Sequence, residues 1–200
     1  MPVDPLTSLV GLVTRASATL EFALHELLRE LDSDGDWKRH QGIGTVADLI
    51  TACKAKIEDQ ACPLSSIEAP LAVLAAAGSA YEERNAVVHG VWNRVGDEGL
   101  WSHRYKKPNK KSKDKKLALL TIDFTEDQLL KLAGRLTRAH LQTEALKDLI
   151  YDKVTATTES PDEEWTREVE TNEALVRGEF DLVGLNYYRL HGPEAGQGES

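Results

Sequence analysis

The sequence predicts a mainly α-helical protein, a bundle of four or more helices with a small β-hairpin or three-strand insertion before the last long helix. Apolar residues recur at three- and four-residue spacing in several long segments, as in amphipathic helices. Between the third and the last of these segments the period is lost. Short runs containing Val, Trp and Leu there flank a Gly-Asp-Glu turn, which is typical of a hairpin.

Length and composition limit the class of protein. The chain has 200 residues, and we place a helical domain at 1–154 and an acidic extension at 155–200. No apolar run reaches the roughly 18 residues of a membrane span, and the first residues lack the pattern of a signal peptide. We therefore expect a cytoplasmic protein with no membrane partner. Cys53 and Cys62 are expected to be reduced thiols, and a disulfide between them is the alternative.

The first two helices are predicted over residues 5–31 and 46–60. An Asp-Pro pair opens the first, and an acidic run ends it. Thr45 and Asp48 have the spacing of a capping box before the second. The residues expected to face the core are Leu9, Val13, Ala16, Leu20, Leu24, Leu27 and Leu31 in the first helix, and Val46, Leu49, Ile50, Cys53 and Ile57 in the second.

The third helix is predicted to begin at a cap formed by Ser65 or Ser66 and to run to about Gly90. Its middle, residues 71–80, is rich in Ala and contains Gly78, which permits close approach of a neighbouring helix.

The insertion is predicted over residues 91–124, with strands at 91–94, 99–102 and 117–124. The net charge is −9, yet residues 103–116 contain eight Lys or Arg and one Asp, a local balance of +7. A concentrated basic segment in an acidic protein can attract phosphate, and a solvated loop is the alternative. The candidate RNA-binding residues are Arg104, Lys106, Lys107, Lys110 and Lys111.

The last long helix is predicted over residues 126–152, because Thr125 and Gln128 have the spacing of a capping box. A short amphipathic helix is predicted over 163–177. The buried stripe of the long helix is predicted to contain Leu129, Leu132, Leu136, Ala139, Leu146 and Ile150.

Three polar residues interrupt the apolar pattern late in the third helix: Arg84, Asn85 and His89. Burying an unpaired guanidinium or amide is costly, so these groups either find partners or line a cleft. The same Arg-to-His spacing recurs at Arg135 and His140, but Leu follows that Arg, and we treat the second pair as coincidence.

The helix order and the Arg-Asn-x-x-x-His motif, with Glu82-Glu83 before it and Gly90-Val91-Trp92 after it, resemble the HEPN superfamily (higher eukaryotes and prokaryotes nucleotide-binding domains). The resemblance covers residues 5–152. It implies a metal-independent endoribonuclease site at a homodimer interface formed by the third helix, with Arg84, Asn85 and His89 as catalytic residues. It also implies a toxin–antitoxin or phage-defence role, with an antitoxin or defence protein as partner.

Within the same superfamily the alternative is a non-catalytic module that binds a nucleotide, RNA or protein. One subfamily is controlled by modification of a Tyr two residues after the His. Val91 occupies that position here, so this control is not expected. A simpler alternative also stays open, in which Arg84 forms ion pairs with the preceding glutamates and His89 is favoured by the helix dipole.

The residue types of the motif suit RNA cleavage without a metal. Histidine can transfer protons near neutral pH, and a guanidinium can stabilise negative charge on phosphorus. At 100° per residue, however, Arg84 and His89 diverge by about 140° on one helix. We therefore expect side chains from two copies of the chain to share one cleft. No cofactor is expected, and His25, His40, His103 and His191 lack the spacing of zinc ligands.

Overall fold

The computed structural model describes residues 5–32, 44–59, 66–95, 99–106, 118–155 and 163–179. The described residues are mainly helical, as predicted, and they also form a three-stranded sheet. Every predicted helix is present at nearly its predicted bounds, whereas the second strand extends to Lys106 instead of Ser102. The elements are α1 (Pro5–Leu31), α2 (Val46–Asp59), α3 (Glu68–Val88), β1 (Val91–Val95), β2 (Gly99–Lys106), β3 (Ala118–Phe124), α4 (Glu126–Thr155) and α5 (Glu163–Arg177).

Side-chain caps begin three of the helices, as the sequence predicts. The Thr45 hydroxyl accepts from the backbone N–H of Asp48 at 3.2 Å, and the Ser66 hydroxyl accepts from that of Glu68 at 3.1 Å. At α4 the capping box is reciprocal. The Gln128 N–H donates to the Thr125 hydroxyl at 3.1 Å, and the Gln128 amide oxygen accepts from the Thr125 N–H at 2.8 Å. These contacts satisfy N–H groups that have no partner within a helix.

The predicted core stripes are buried. All five inward residues of α2 and all six of α4 are inaccessible or nearly so. In α1 the stripe is buried from Val13 onward, and Leu9 is half-buried. Helical period therefore identified which side chains leave solvent, and that burial is the main stabilising contribution of each helix.

The sheet has the order β1-β2-β3, and both neighbouring pairs are antiparallel. In the register of β1 with β2, Trp92 lies opposite Ser102. In that of β2 with β3, Arg104 lies opposite Leu120 and Lys106 opposite Ala118.

The chain folds into two compact units, and α1, α3 and α4 each contribute to both. The first unit comprises Met1–Phe22 and Ala75–His140, so it contains the sheet and the Arg-Asn-His motif. The second unit comprises Ala23–Leu74 and Leu141–Ser200 and contains α2 and α5.

Two polar contacts join α2 to α1 and to Asp32, the residue after it, in the second unit. The Lys56 ammonium lies 2.6 Å from the carboxylate of Asp32, whose side chain is 3% exposed. The Cys53 thiol is free and buried, lies 3.8 Å from the Leu24 carbonyl oxygen, and has a pKa raised to about 12 by burial. Such a thiol is unreactive near neutral pH, in keeping with the prediction for Cys53. Cys62 lies outside the described residues.

α5 packs into the second unit through Leu175 and Val176, which are 7% exposed. The Gln142 amide of α4 donates to the Leu175 carbonyl oxygen at 3.1 Å. Gly178 then ends α5 with a φ of 76°, and the N–H groups of Gly178 and Glu179 donate back to the last turn of the helix. This is the left-handed termination that glycine adopts without steric cost. No helix of the described chain is both long and apolar enough to cross a lipid bilayer.

Candidate functional site

The Arg-Asn-His motif lies in the first unit, at the C-terminal end of α3 where the chain turns into β1. Arg84 and Asn85 are in the last turns of the helix and are half-buried, and His89 is exposed. The helix ends at Val88, one residue before the histidine and earlier than predicted. His89 is thus the first residue beyond the regular helix.

Arg84 is held by neutral acceptors on two of its nitrogens. Its Nε donates to the Ser17 hydroxyl of α1 at 3.0 Å, and its Nη1 donates to the Asn85 amide oxygen at 3.1 Å. Ser17 is fully buried, and its own hydroxyl donates to the Thr14 carbonyl oxygen at 2.8 Å. These bonds fix the plane of the guanidinium without neutralising its charge.

The three motif side chains meet within one chain. Arg84 Nη1 lies 3.4 Å from His89 Nε2. This corrects the expectation that the two residues diverge and need a second copy to converge. The His89 N–H still donates to the Asn85 carbonyl oxygen at 3.2 Å, so the backbone keeps its helical path up to His89. The contact forms because the arginine side chain is long enough to span the angle between the two positions. The geometric reason for a shared cleft is therefore removed.

The Arg84–His89 contact limits how these two side chains can bond. A guanidinium carries only donors, so a hydrogen bond between Arg84 and His89 requires the lone pair of Nε2. Asn85 is restricted in the same way. Because its oxygen accepts from Arg84, its Nδ2 group is left as a donor. Asn85 therefore keeps N–H donors at this site.

The Tyr81 ring packs against one face of the Arg84 guanidinium. The guanidinium carbon lies 4.9 Å from the centre of the Tyr81 ring, within the range of a cation–π contact. The Tyr81 hydroxyl donates to the Glu21 carboxylate of α1 at 2.9 Å. Burial and the Glu21 carboxylate raise the pKa of Tyr81, against a smaller lowering effect of Arg84. The phenol is therefore protonated at neutral pH and acts as the donor.

The glutamates before Arg84 do not pair with it. Glu83 instead forms an ion pair with Arg135 of α4. Across the described ranges no carboxylate forms an ion pair with Arg84, and no acceptor bonds its Nη2 nitrogen. The simpler alternative of an Arg84–glutamate ion pair thus lacks support there. A half-buried positive charge keeps two N–H groups available.

The sheet holds the end of α3 from which His89 projects. The Ser102 hydroxyl of β2 donates to the Ala86 carbonyl oxygen at 2.6 Å, and the Trp92 indole of β1 donates to that of Val87 at 2.8 Å. The Trp92 ring in turn packs on buried Phe124 at 5.5 Å between centroids. Two of the carbonyls left open at a helix C-terminus are satisfied in this way.

Gly90 is required by this docking. A Cβ on Gly90 would lie 1.6 Å from the Ser102 hydroxyl and 2.7 Å from the Ala86 carbonyl oxygen. Sequence reasoning noted Gly90 and Trp92 only as flanks of the motif, and it did not identify their contacts.

Ser17, Glu21 and Tyr81 were also missed by sequence reasoning. The sequence could have indicated Ser17, because it is a polar residue on the face of α1 that the apolar period predicts to be buried, next to Ala16. Tyr81 lies three residues before Arg84, so both share one side of the helix.

The predicted RNA-binding residues are placed only in part. Arg104 and Lys106 lie on β2, where the structure describes the backbone and register. Lys107, Lys110 and Lys111 lie outside the described residues.

An open groove lies on the opposite side of α3 from Arg84. Glu82, Glu83 and Asp123 line it, together with Ile122 and Phe124. Its carboxylates repel phosphate, so this groove is unsuited to an RNA backbone. Within the described residues, no three His, Cys, Asp or Glu side chains are close enough together to hold a metal ion.

The chain was compared with known proteins in three ways. No protein-family model matches it, no curated protein matches it, and no solved structure matches it.

Proposed function

We propose that this chain is a metal-independent endoribonuclease of the HEPN type. The observation that carries the proposal is the convergence of Arg84, Asn85 and His89, with Arg84 Nη1 3.1 Å from the asparagine oxygen and 3.4 Å from His89 Nε2. A charged group, an amide donor and an imidazole within one small site suit a phosphodiester. The guanidinium has no described carboxylate partner, which favours an anionic ligand.

The proposed reaction is attack of the ribose 2′-hydroxyl on the neighbouring phosphorus. The 2′-oxygen bonds to phosphorus as its proton leaves, and the bond from phosphorus to the 5′-oxygen breaks as that oxygen gains a proton. His89 performs one of these two proton transfers. Arg84 stabilises the charge that builds up on the phosphorus oxygens, and the Asn85 amide orients the phosphate. The products are a 2′,3′-cyclic phosphate and a free 5′-hydroxyl.

The lysine-rich segment is the proposed contact for the rest of the RNA. Arg104, Lys106, Lys107, Lys110 and Lys111 belong to a segment of charge +7 in a chain of charge −9. Electrostatic contact with successive phosphates weakens as salt rises, so this part of the proposal predicts a steep loss of RNA binding with salt.

Homodimerisation through α3, a role in toxin–antitoxin or phage-defence systems and a partner protein are proposed from the family resemblance alone. The three side chains meet within one chain, so a monomer in solution would remove the dimer from the proposal and leave the site intact.

A non-catalytic binding module is the second candidate function. One observation favours it: His89 Nε2 lies 3.4 Å from the Arg84 guanidinium, so this contact already involves a ring nitrogen that proton transfer would use. A site composed of donors would still bind a phosphate group without cutting the chain.

Cleavage of RNA in the presence of EDTA distinguishes the two candidates. We expect the purified wild-type protein to release fragments with cyclic phosphate ends. His89→Ala should abolish the release, because it removes the imidazole to which the proposal assigns a proton transfer. His25→Ala is the matched control, since His25 is an exposed histidine of α1 in the second unit. Equal cleavage by wild type and H89A would contradict the enzyme, and RNA binding without cleavage would support the binding module.

A further inference from the structure

We propose that Ser17 and Tyr81, the latter through its bond to Glu21, are positioning residues that fix the guanidinium of Arg84 so that its Nη2 group alone is presented to the phosphate. This inference rests on the proposed ribonuclease function and deepens it. None of the three residues belongs to the Arg-Asn-x-x-x-His motif.

The nitrogens of Arg84 differ in whether they contact a partner. A guanidinium has five N–H groups in one plane, one on Nε and two on each terminal nitrogen. Ser17 accepts from Nε, and Nη1 faces both Asn85 and His89. The described residues therefore leave the two N–H groups of Nη2. Side-on binding of a phosphate through Nε and Nη2 together is blocked, because Ser17 occupies Nε.

Tyr81 restrains the guanidinium in the remaining direction. Hydrogen bonds fix rotation within the guanidinium plane, whereas the ring 4.9 Å from the guanidinium carbon supports one of its faces. The ring is itself held, because the Tyr81 hydroxyl donates to Glu21 at 2.9 Å. Ser17 and Glu21 both belong to α1, so two neighbouring turns of one helix support the same side chain.

The charges of this arrangement support positioning over ion pairing. The group that touches Arg84 from α1 is a neutral hydroxyl, and the Glu21 carboxylate is engaged by the phenol. Arg84 thus keeps its full charge for a phosphate while losing rotational freedom before the substrate arrives. Fixed donors need no reorganisation in the transition state, and small misplacements of such groups reduce rates strongly.

The first test is a double-mutant cycle. Ser17→Ala should lower kcat about 10-fold or more with little change in KM, because charge for binding is retained and orientation is lost. In an Arg84→Lys background, which has no Nε–H, the same substitution should have no further effect. Thr19→Ala is the matched control. Thr19 lies on the same helix and also donates to a carbonyl three residues earlier, at 2.9 Å, but is exposed.

Tyr81 is tested by a graded pair. Tyr81→Phe keeps the ring and loses the bond to Glu21, and Tyr81→Leu loses the ring face as well. We expect kcat to fall in the order wild type, Y81F, Y81L. Thermal unfolding of each variant would show whether the loss follows stability instead, and equal activity of all three at equal stability would overturn the role of Tyr81.

A second measurement of Ser17 does not depend on activity. In ¹H–¹⁵N spectra of the full chain, the Arg84 Nε–H signal, assigned by its absence in R84K, should exchange slowly with solvent. It should exchange faster in S17A and stay unchanged in T19A. Unchanged exchange in S17A, or an equal loss of kcat in both backgrounds, would overturn the inference while leaving the ribonuclease intact. Retained cleavage by H89A would instead remove the ribonuclease.

Discussion

The Tyr81 phenol contacts two opposite charges, Glu21 and Arg84, which shift its pKa in opposite directions. Burial and the Glu21 carboxylate raise its pKa, and the Arg84 guanidinium lowers it, with a net increase. The tyrosinate is therefore disfavoured although a cation lies over the ring. A protonated phenol is what the contact with Glu21 requires, since a tyrosinate has no proton to donate.

Because the pKa of Tyr81 is raised in the folded protein, ionisation of this one phenol is predicted to lower the free energy of unfolding in alkaline solution. A tyrosine in an unfolded chain titrates near pH 10, and the folded protein keeps the Tyr81 proton to higher pH. The stabilising contribution is complete below pH 10 and falls as pH rises through the folded pKa. Denaturant unfolding measured from pH 8 to 11 should thus decline more steeply for wild type than for Tyr81→Phe. The Tyr151→Phe variant, at an exposed position of α4, controls for the loss of one phenol.

Absorbance at 295 nm, which reports tyrosine ionisation, tests the direction of the Tyr81 pKa shift independently. The difference titration of wild type minus Y81F isolates the Tyr81 phenol. Ionisation of that phenol below the usual range of tyrosine would contradict the prediction, because it would mean that Arg84 outweighs both burial and Glu21.

Among the secondary-structure elements, the junction of α3 with the sheet controls the site most directly. Ser102 and Trp92 close two carbonyls of the last helical turn, and the next residue but one after the helix is Gly90. The strands are thus part of the support for His89 and not only an insertion between helices.

We predict that Gly90→Ala destabilises the protein and reduces cleavage. The new Cβ would lie 1.6 Å from the Ser102 hydroxyl and 2.7 Å from backbone oxygen, so the strand or the helix end must shift. Overpacking of this kind costs about 1–3 kcal/mol. Urea unfolding measures the loss of free energy, and RNA cleavage at a temperature where the variant is folded measures displacement of His89.

Gly134→Ala is the matched comparison. Gly134 lies within α4, and no heavy atom lies within 4 Å of the position of its Cβ. Alanine in a helix interior is favoured over glycine by roughly 0.5–1 kcal/mol, so this variant should be stabilised. A Gly90→Ala protein as stable as wild type would mean that the contact with Ser102 is not maintained in solution.

The elements could be predicted from the sequence because their signals are local. The cap pairs Thr45–Asp48 and Thr125–Gln128 span three residues each, and the buried stripes repeat every turn. The interior of the site could not be predicted in that way. Ser17 contacts Arg84 across 67 positions of sequence, and helical period shows that Ser17 is buried without showing what it meets. The predicted divergence of Arg84 and His89 was wrong because the angle between two helix positions does not account for the length of an arginine side chain, which reaches His89.

For the whole molecule, the division into two compact units shows that α5 is built into the second unit. Leu175 and Val176 are buried, and the Gln142 amide bonds the α5 backbone. The sequence predicted the helix within an acidic C-terminal extension, and did not identify its partner, because amphipathic period identifies only an apolar face. That predicted division at residue 155 stays a prediction.

Truncation tests the place of α5. Ending the chain after Thr155 removes Leu175 and Val176 from the second unit, and burial of each such side chain contributes about 1.5–3 kcal/mol. We expect a loss of about 3 kcal/mol or more in the free energy of unfolding, measured with urea. A chain that ends after Glu179 keeps α5 with its glycine termination and is the comparison. Equal stability of the two truncated proteins would show that α5 is dispensable.

The interleaving of the two units has a consequence for synthesis on the ribosome. Residues Ala23–Leu74 emerge before the rest of their unit, Leu141–Ser200, which follows only after all of Ala75–His140. At about 5–20 residues per second this separation lasts roughly 3–13 s. The nascent chain can form the ion pair between Lys56 of α2 and Asp32, the residue after α1, in that time. Throughout this interval Ala23–Leu74 lacks the other part of its unit, so we expect its apolar side chains to be accessible to a chaperone.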